Sequence, residues 1–411
     1  MRTSSIRRSR ARVTASAALG MLLVGIASVP AHAAGVRDRQ WHLTTMGAEK
    51  IWQLSTGKGV TVAVIDSGVD RENPDLSGQV LEGKDFATEE PGDQFTDYGG
   101  HGTGMAGLIA GTGAKDGGKG AFGLAPGAKI LPVRVPGLEA GKVTIAESDR
   151  EFNRVVPQAI KYSADSGAKV INISLGATAG SQDLTDAVKY ALDKGALVFA
   201  SVGNTGDKTN KVEYPGATPG VVGVGAIDKK LTRIPQSQYG PQVDMVAPGK
   251  DTVAACSAGI CTATGTSDAT ALASAAAALI WSKHPDWTNN QVLKVMLNTI
   301  AAPTEGAKRS DYIGFGAIRP LRALKTPGDP GPADVRPIDD LGETVKPSAP
   351  ASASADPAPA ESSGAPAPAP AATQAASEDG GNTGLWIGLG IGAVVLIGAA
   401  VAVPALRSRR S

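Results

Sequence analysis

The 411-residue chain reads as an α/β domain with a mostly parallel central sheet flanked by helices, followed by a single C-terminal membrane span. Three observations carry this reading. Continuous aliphatic runs at 60–65, 129–135, 169–173 and 197–200 have strand length and alternate with helical patterns. Three of these four end in polar or glycine-rich clusters, Asp66-Ser67-Gly68, Ser174-Leu175-Gly176 and Ser201-Val202-Gly203-Asn204. Both ends of the chain depart from globular composition. Ligands in open α/β sheets bind beyond the carboxyl ends of strands, so the clusters are expected to converge on one crevice.

At the N-terminus Arg2, Arg7, Arg8, Arg10 and Arg12 precede an apolar run at 17–29 and the small-residue site Ala31-His32-Ala33. This predicts a signal peptide over 1–33. Arg7-Arg8 lacks the continuation of a twin-arginine signal, which favours ordinary secretion. Near the other end an uncharged apolar stretch precedes Arg407, Arg409 and Arg410. It predicts a transmembrane helix over 384–406 and a basic cytoplasmic tail over 407–411, with everything before the span outside the cell. Pro, Ala, Ser and Asp dominate 326–382, so 324–383 is expected to be an extended, disordered linker. What remains is a short N-terminal extension, 34–58, and one large domain, 59–323, without internal repeats.

The formal charge of +1 argues against nucleic acid as a partner. The chain has two cysteines, Cys256 and Cys261. Four intervening residues and an oxidising compartment suggest a disulfide across a tight loop, stabilising by roughly 2 kcal/mol on the chain-entropy model. A zinc pair is the alternative, but no second Cys or His pair lies close in sequence.

Residues 262–281 crowd hydroxyl side chains ahead of an Ala-rich helix expected over about 269–283, too short to span a membrane. A Gly-Thr-Ser turn at a helix start either caps the helix or presents a reactive serine beside unsatisfied N–H groups. Ser267 is the hydroxyl so placed. A reactive serine needs a base, and of four histidines His32 leaves with the signal peptide, His42 lies in the N-terminal extension and His284 ends the apolar helix. His101 remains, in Gly100-His101-Gly102-Thr103-Gly104, at a predicted helix start with little bulk around it. Asp66 ends the first predicted strand.

Together these segments resemble the subtilisin-like serine proteases: Val64-Ile65-Asp66-Ser67-Gly68, His101-Gly102-Thr103-Gly104, Asn172-Ile173-Ser174-Leu175-Gly176, Ala200-Ser201-Val202-Gly203-Asn204, Tyr214-Pro215-Gly216-Ala217, Val246-Ala247-Pro248-Gly249 and Gly265-Thr266-Ser267. The order Asp, His, Ser is also that of subtilisin. The resemblance implies Ser267 as nucleophile, His101 as general base and acid, and Asp66 as the carboxylate that orients His101. It implies Asn204 as oxyanion donor, Ser174, Leu175 and Gly176 as the strand that pairs with substrate, and Ser201, Val202 and Gly203 as further pocket lining. No cofactor is implied, and no loop is specific enough to assign calcium or another metal.

Two departures stand out. Ala271 occupies a position where the family usually has proline, and the acidic Asp268 follows the nucleophile where a bulky apolar residue is usual. Asp268 is expected to raise the pKa of His101 or to influence substrate choice. The segment 34–58 leaves no room for the large inhibitory propeptide of many subtilisins. The whole layout resembles the mycosins, membrane-anchored proteases of type VII secretion systems in actinobacteria. It implies an extracellular endopeptidase acting on protein or peptide substrates, with type VII secretion machinery as a partner. The competing reading is a subtilisin-like scaffold of such a complex with little or no proteolysis. An esterase or lipase would want a Gly-x-Ser-x-Gly elbow, which Ser267 lacks.

Overall fold

Seven strands pair side by side in the order β2-β3-β1-β4-β5-β6-β7, every neighbour parallel. They are β1 Thr61–Asp66, β2 Lys84–Asp85, β3 Lys129–Arg134, β4 Val170–Ile173, β5 Leu197–Ser201, β6 Val222–Ile227 and β7 Met245–Pro248. The computed structural model describes residues 35–137, 144–257, 259–303 and 306–341. The expected signal peptide over 1–33, the part of the expected linker beyond 341, and the expected span over 384–406 and tail over 407–411 lie outside them. Among the described residues no helix is long and apolar enough to cross a membrane. All of them except Thr144 belong to one compact unit.

The four aliphatic runs become β1, β3, β4 and β5 with ends shifted by a residue at most. Their side chains are buried almost throughout, which is why these strands read as unbroken apolar runs. The main helices are α1 His101–Ala110, α2 Ile145–Asp165, α3 Gln182–Asp193, α4 Thr266–Lys283 and α5 Asn289–Thr299. Helices α2 and α3 pack on each other, α2 against β1, β3 and β4 and α3 against β5. Both are amphipathic, burying Val155, Ile160, Leu184 and Val188 and exposing charges.

Helices α1 and α4 differ. From Gly102 to Ala110 every residue of α1 is buried, and in α4 only Ser267, Ser282 and Lys283 escape burial. An all-round apolar helix is a core helix. The alanines of α4 let it approach α1 and strands β4–β7 closely. It begins at Thr266, three residues before the expected start at 269, so Ser267 sits inside its first turn. Strands β8 Thr252–Cys256 and β9 Gly259–Ala263 form an antiparallel hairpin leading into α4, with Cys256 and Cys261 joined by a disulfide.

Two expected boundaries move. Of the extension expected at 34–58, the described residues 35–58 are part of the fold, because Leu43, Ala48 and Ile51 are fully buried in the main core. Beyond 323 the polar composition predicted a free linker, yet 326–341 lies against the domain. Ile338 is buried in the core, and Arg336 pairs with Asp340 and donates to Gly220 O. Side chains of α5 and its N-cap, Thr288, Asn290, Gln291 and Asn298, donate to the carbonyls of Ala333, Gly331 and Asp329. A segment without strand or helix ladders is held because its backbone oxygens find side-chain donors.

Candidate active site

Asp66 is the last residue of β1 and has no solvent exposure. Its Oδ1 accepts from Ser67 N at 2.8 Å and lies 2.7 Å from His101 Nδ1. A carboxylate oxygen accepts, so in the neutral imidazole Nδ1 carries the proton and Nε2 is the basic nitrogen. The second oxygen, Oδ2, is buried and finds no hydrogen-bond partner among the described residues. Its negative charge therefore favours a cationic partner.

His101 is the first residue of α1. The helix can start against the end of β1 because residue 102 is glycine: a Cβ there would come within 2.1 Å of Gly68 O and 3.0 Å of Asp66 Cβ. Asp97 fixes the same turn by accepting from Gly100 N, Thr103 N and Thr103 Oγ1, and it also accepts from Ser67 Oγ. Burial lowers the pKa of His101, but the Asp66 carboxylate, with Asp268 and Asp97 adding, outweighs it and pushes the imidazole up to about 9. Solvent at its exposed edge, 40 % of the side chain, screens part of that field.

Ser267 lies in the first turn of α4, so its N–H has no intrahelical acceptor. Its Oγ donates to Ser174 O at 3.1 Å, while Ser174 Oγ donates to Ser267 O at 3.1 Å. The strand end 174–176 is thereby tied to the start of α4. Among the described residues no hydrogen bond joins Ser267 to His101. The Ser267 hydroxyl is engaged by Ser174 O instead. Asp268, buried beside His101, has its pKa pushed up to about 6, first by burial, with the Thr252 hydroxyl and His101 pulling the other way.

Asn204 follows β5 on an exposed turn. Its Oδ1 accepts from Thr266 N at 2.9 Å and Thr266 Oγ1 at 3.2 Å. The acceptor end of the amide is thus committed, leaving Nδ2 to donate beside the start of α4. Ser174, Leu175 and Gly176 continue beyond the end of β4, and Ser201 ends β5. Val202 is fully buried in a small cluster with Ile227, Val243 and Val246, so it offers a cleft its backbone and not its side chain.

Several supporting residues were not singled out by sequence. Asn172, fully buried in β4, donates to Ser174 Oγ at 3.1 Å and accepts from Ser274 Oγ of α4 at 3.0 Å. The signal was a lone amide inside an aliphatic strand. Thr266 orients Asn204, and Asp97 precedes His101 by four residues, where only the folded turn shows its role.

The Subtilase family (Peptidase_S8) matches residues 57–316. Subtilisin BL of Lederbergia lenta is 36 % identical over 245 residues, covering 59 % of this chain and 84 % of its own. A solved structure of the MycP3 protease from the type VII (ESX-3) secretion system superposes with a TM-score of 0.61 at 32 % identity, covering 69 % of this chain and 88 % of the other. A chain of the periplasmic assembly from the ESX-5 inner membrane complex gives 0.62 at 26 %, covering 78 % and 90 %. With the match spanning the strands, helices and turns that bring Asp66, His101, Asn204 and Ser267 to one end of the sheet, this chain belongs to the subtilase family of serine endopeptidases.

Proposed function

We propose that Asp66, His101 and Ser267 form the catalytic triad of a membrane-anchored endopeptidase that acts outside the cytoplasm in association with type VII secretion. The observation that carries the triad is the 2.7 Å contact between His101 Nδ1 and the buried Asp66 Oδ1, which leaves Nε2 as the base beside the first turn of α4. Ser267 Oγ attacks the scissile carbonyl carbon and His101 Nε2 takes its proton. The new oxyanion accepts from the Ser267 N–H and Asn204 Nδ2. Breakdown of the tetrahedral intermediate breaks the C–N bond as His101 returns the proton to the leaving amine. Water, deprotonated by His101, then hydrolyses the acyl-enzyme ester and restores Ser267. Asp66 stabilises the imidazolium formed in both halves.

The strand end 174–176 is the segment that would pair with substrate backbone. Anchoring rests on the apolar 384–406 followed by arginines, and the secretion role on likeness to MycP3 and to the ESX-5 assembly. That last likeness also favours a second reading, a structural subunit of such an assembly. The test is hydrolysis of an unfolded protein by the full chain in membranes. Loss of hydrolysis in Ser267→Ala supports the triad, whereas hydrolysis that survives the substitution refutes it. Protection of the domain from added protease in intact cells would contradict the outward topology.

A further inference from the structure

Glu213 occupies an unusual place for a carboxylate. Reciprocal backbone hydrogen bonds at 2.8 Å between Tyr214 and Ala177 hold residue 213 alongside Gly176, at the segment 174–176. A Cβ on Gly176 would lie 2.9 Å from Glu213 Oε2. A Cβ on Gly203, whose φ is +105°, would lie 2.8 Å from Glu213 Cδ and 2.3 Å from Gln238 Nε2. The carboxylate therefore fills space that two glycines leave open, one on each of the two segments, 174–176 and 201–203, that the subtilisin resemblance assigns to substrate.

Its two oxygens have different surroundings. Oε1 accepts from Gln238 Nε2 at 2.7 Å, and Gln238, fully buried and also bonded to Thr205 Oγ1, fixes the head group. Oε2 has no hydrogen bond among the described residues and is not sealed from solvent. Glu213 takes part in none of the ion pairs among them. Burial pushes its pKa up to about 7, with the Gln238 hydrogen bond lowering it and the Asp149 carboxylate raising it. A half-buried acid with one anchored oxygen, one open oxygen and a second acid nearby is poorly compensated by its own protein. A cation approaching the open Oε2 would supply the missing charge.

We propose that Glu213 is a specificity-determining residue and that the enzyme cleaves after Lys or Arg, whose cationic head pairs with Glu213 Oε2. This rests on the catalytic reading above. The glycines make room for the carboxylate itself, and the hydrogen bond to Oε1 leaves the other oxygen for the incoming head group.

The full chain in detergent is treated at pH 8 with two phosphonate inhibitors that differ only in the side chain next to phosphorus, lysine against its neutral isostere norleucine. Reaction at Ser267 is followed by mass spectrometry. The wild-type protein should react about tenfold to a hundredfold faster with the lysine probe, the range of one charge-assisted hydrogen bond. Glu213→Gln should bring the ratio close to one, and Glu213→Lys should favour a probe carrying glutamate. The wild-type comparison alone decides if a variant fails to fold. Reaction at Ser267 without preference, or with norleucine preferred, overturns the Glu213 assignment and leaves the triad standing. A protein inert to both probes overturns the catalytic reading and this proposal with it.

Discussion

His101 Nδ1 lies 2.7 Å from Oδ1 of Asp66, and that aspartate is wholly buried at the last residue of β1. The pair joins a strand end to a helix start, and Gly102 permits the approach. The carboxylate fixes the imidazole with Nδ1 protonated, while its unpartnered Oδ2 rewards formation of the imidazolium.

Replacing Asp66 with asparagine should keep the shape and lose the chemistry. An amide can donate to Nδ1, which places the imidazole proton on Nε2 and removes the base. Since the substrate groove is untouched, kcat should fall by about 10⁴ with KM little changed. Steady-state kinetics on one peptide substrate check this.

The pH dependence follows from the acids around His101. A general base must be neutral, and the imidazole is raised from 6.5 to about 9 against the effect of burial by Asp66, Asp268 and Asp97. The rate kcat/KM should therefore rise on the alkaline side of the ordinary imidazole range. Asp268→Asn removes one of those charges and should move the rise to lower pH, as a pH–rate profile would show.

Stability should carry the same signature with its own signs. Because the folded pKa of His101 is above 6.5, its pairing stabilises fully below that value and is lost as pH rises through about 9. Asp268 is an acid raised by burial from 3.8 to about 6, so the fold binds its proton more tightly than the unfolded chain does. Stability is then lost as pH rises from 3.8 through about 6, and Asp268→Asn should raise the melting temperature at pH 7.

Asn204→Ala tests the oxyanion donor. The amide's oxygen is held by Thr266 and its nitrogen is free, so the loss should fall on the transition state. We expect kcat to drop about 10²–10³-fold with KM nearly constant, the size known from subtilisin itself. A drop in binding alone would argue for a ground-state contact.

The segment 326–341 should contribute to stability although it contains no helix or strand. A soluble fragment ending at residue 325 should melt below one ending at 341. In the longer fragment Ile338→Ala, which opens a hole in the core, should cost about 2–5 kcal/mol in denaturant unfolding.

How much of this was legible in the sequence depended on the kind of interaction. Strands β1, β3, β4 and β5 are buried on both faces, so their aliphatic runs stand out. Strand β6 is just as buried, but Gly223 and Gly225 interrupt its pattern, and the two-residue β2 has none. The placement of Asp66, His101 and Ser267 at or next to element ends was legible because each lies inside a short motif. Asn172, Thr266 and Glu213 were not, since their roles are set by partners far along the chain: Ser274, Asn204 and Gln238. The docking of 326–341 was hidden because donors on or next to α5, not apolar periodicity, hold most of it.

The central claim is that Ser267 is activated by His101 on Asp66. Its most direct test is labelling of the full chain with a fluorophosphonate, with the adduct located by mass spectrometry. The account predicts one phosphonyl group on Ser267, lost in Ser267→Ala and slowed at least a thousandfold in His101→Ala, about the loss expected for removing the base. Absence of labelling in the folded wild-type protein, or labelling that survives His101→Ala undiminished, would contradict it.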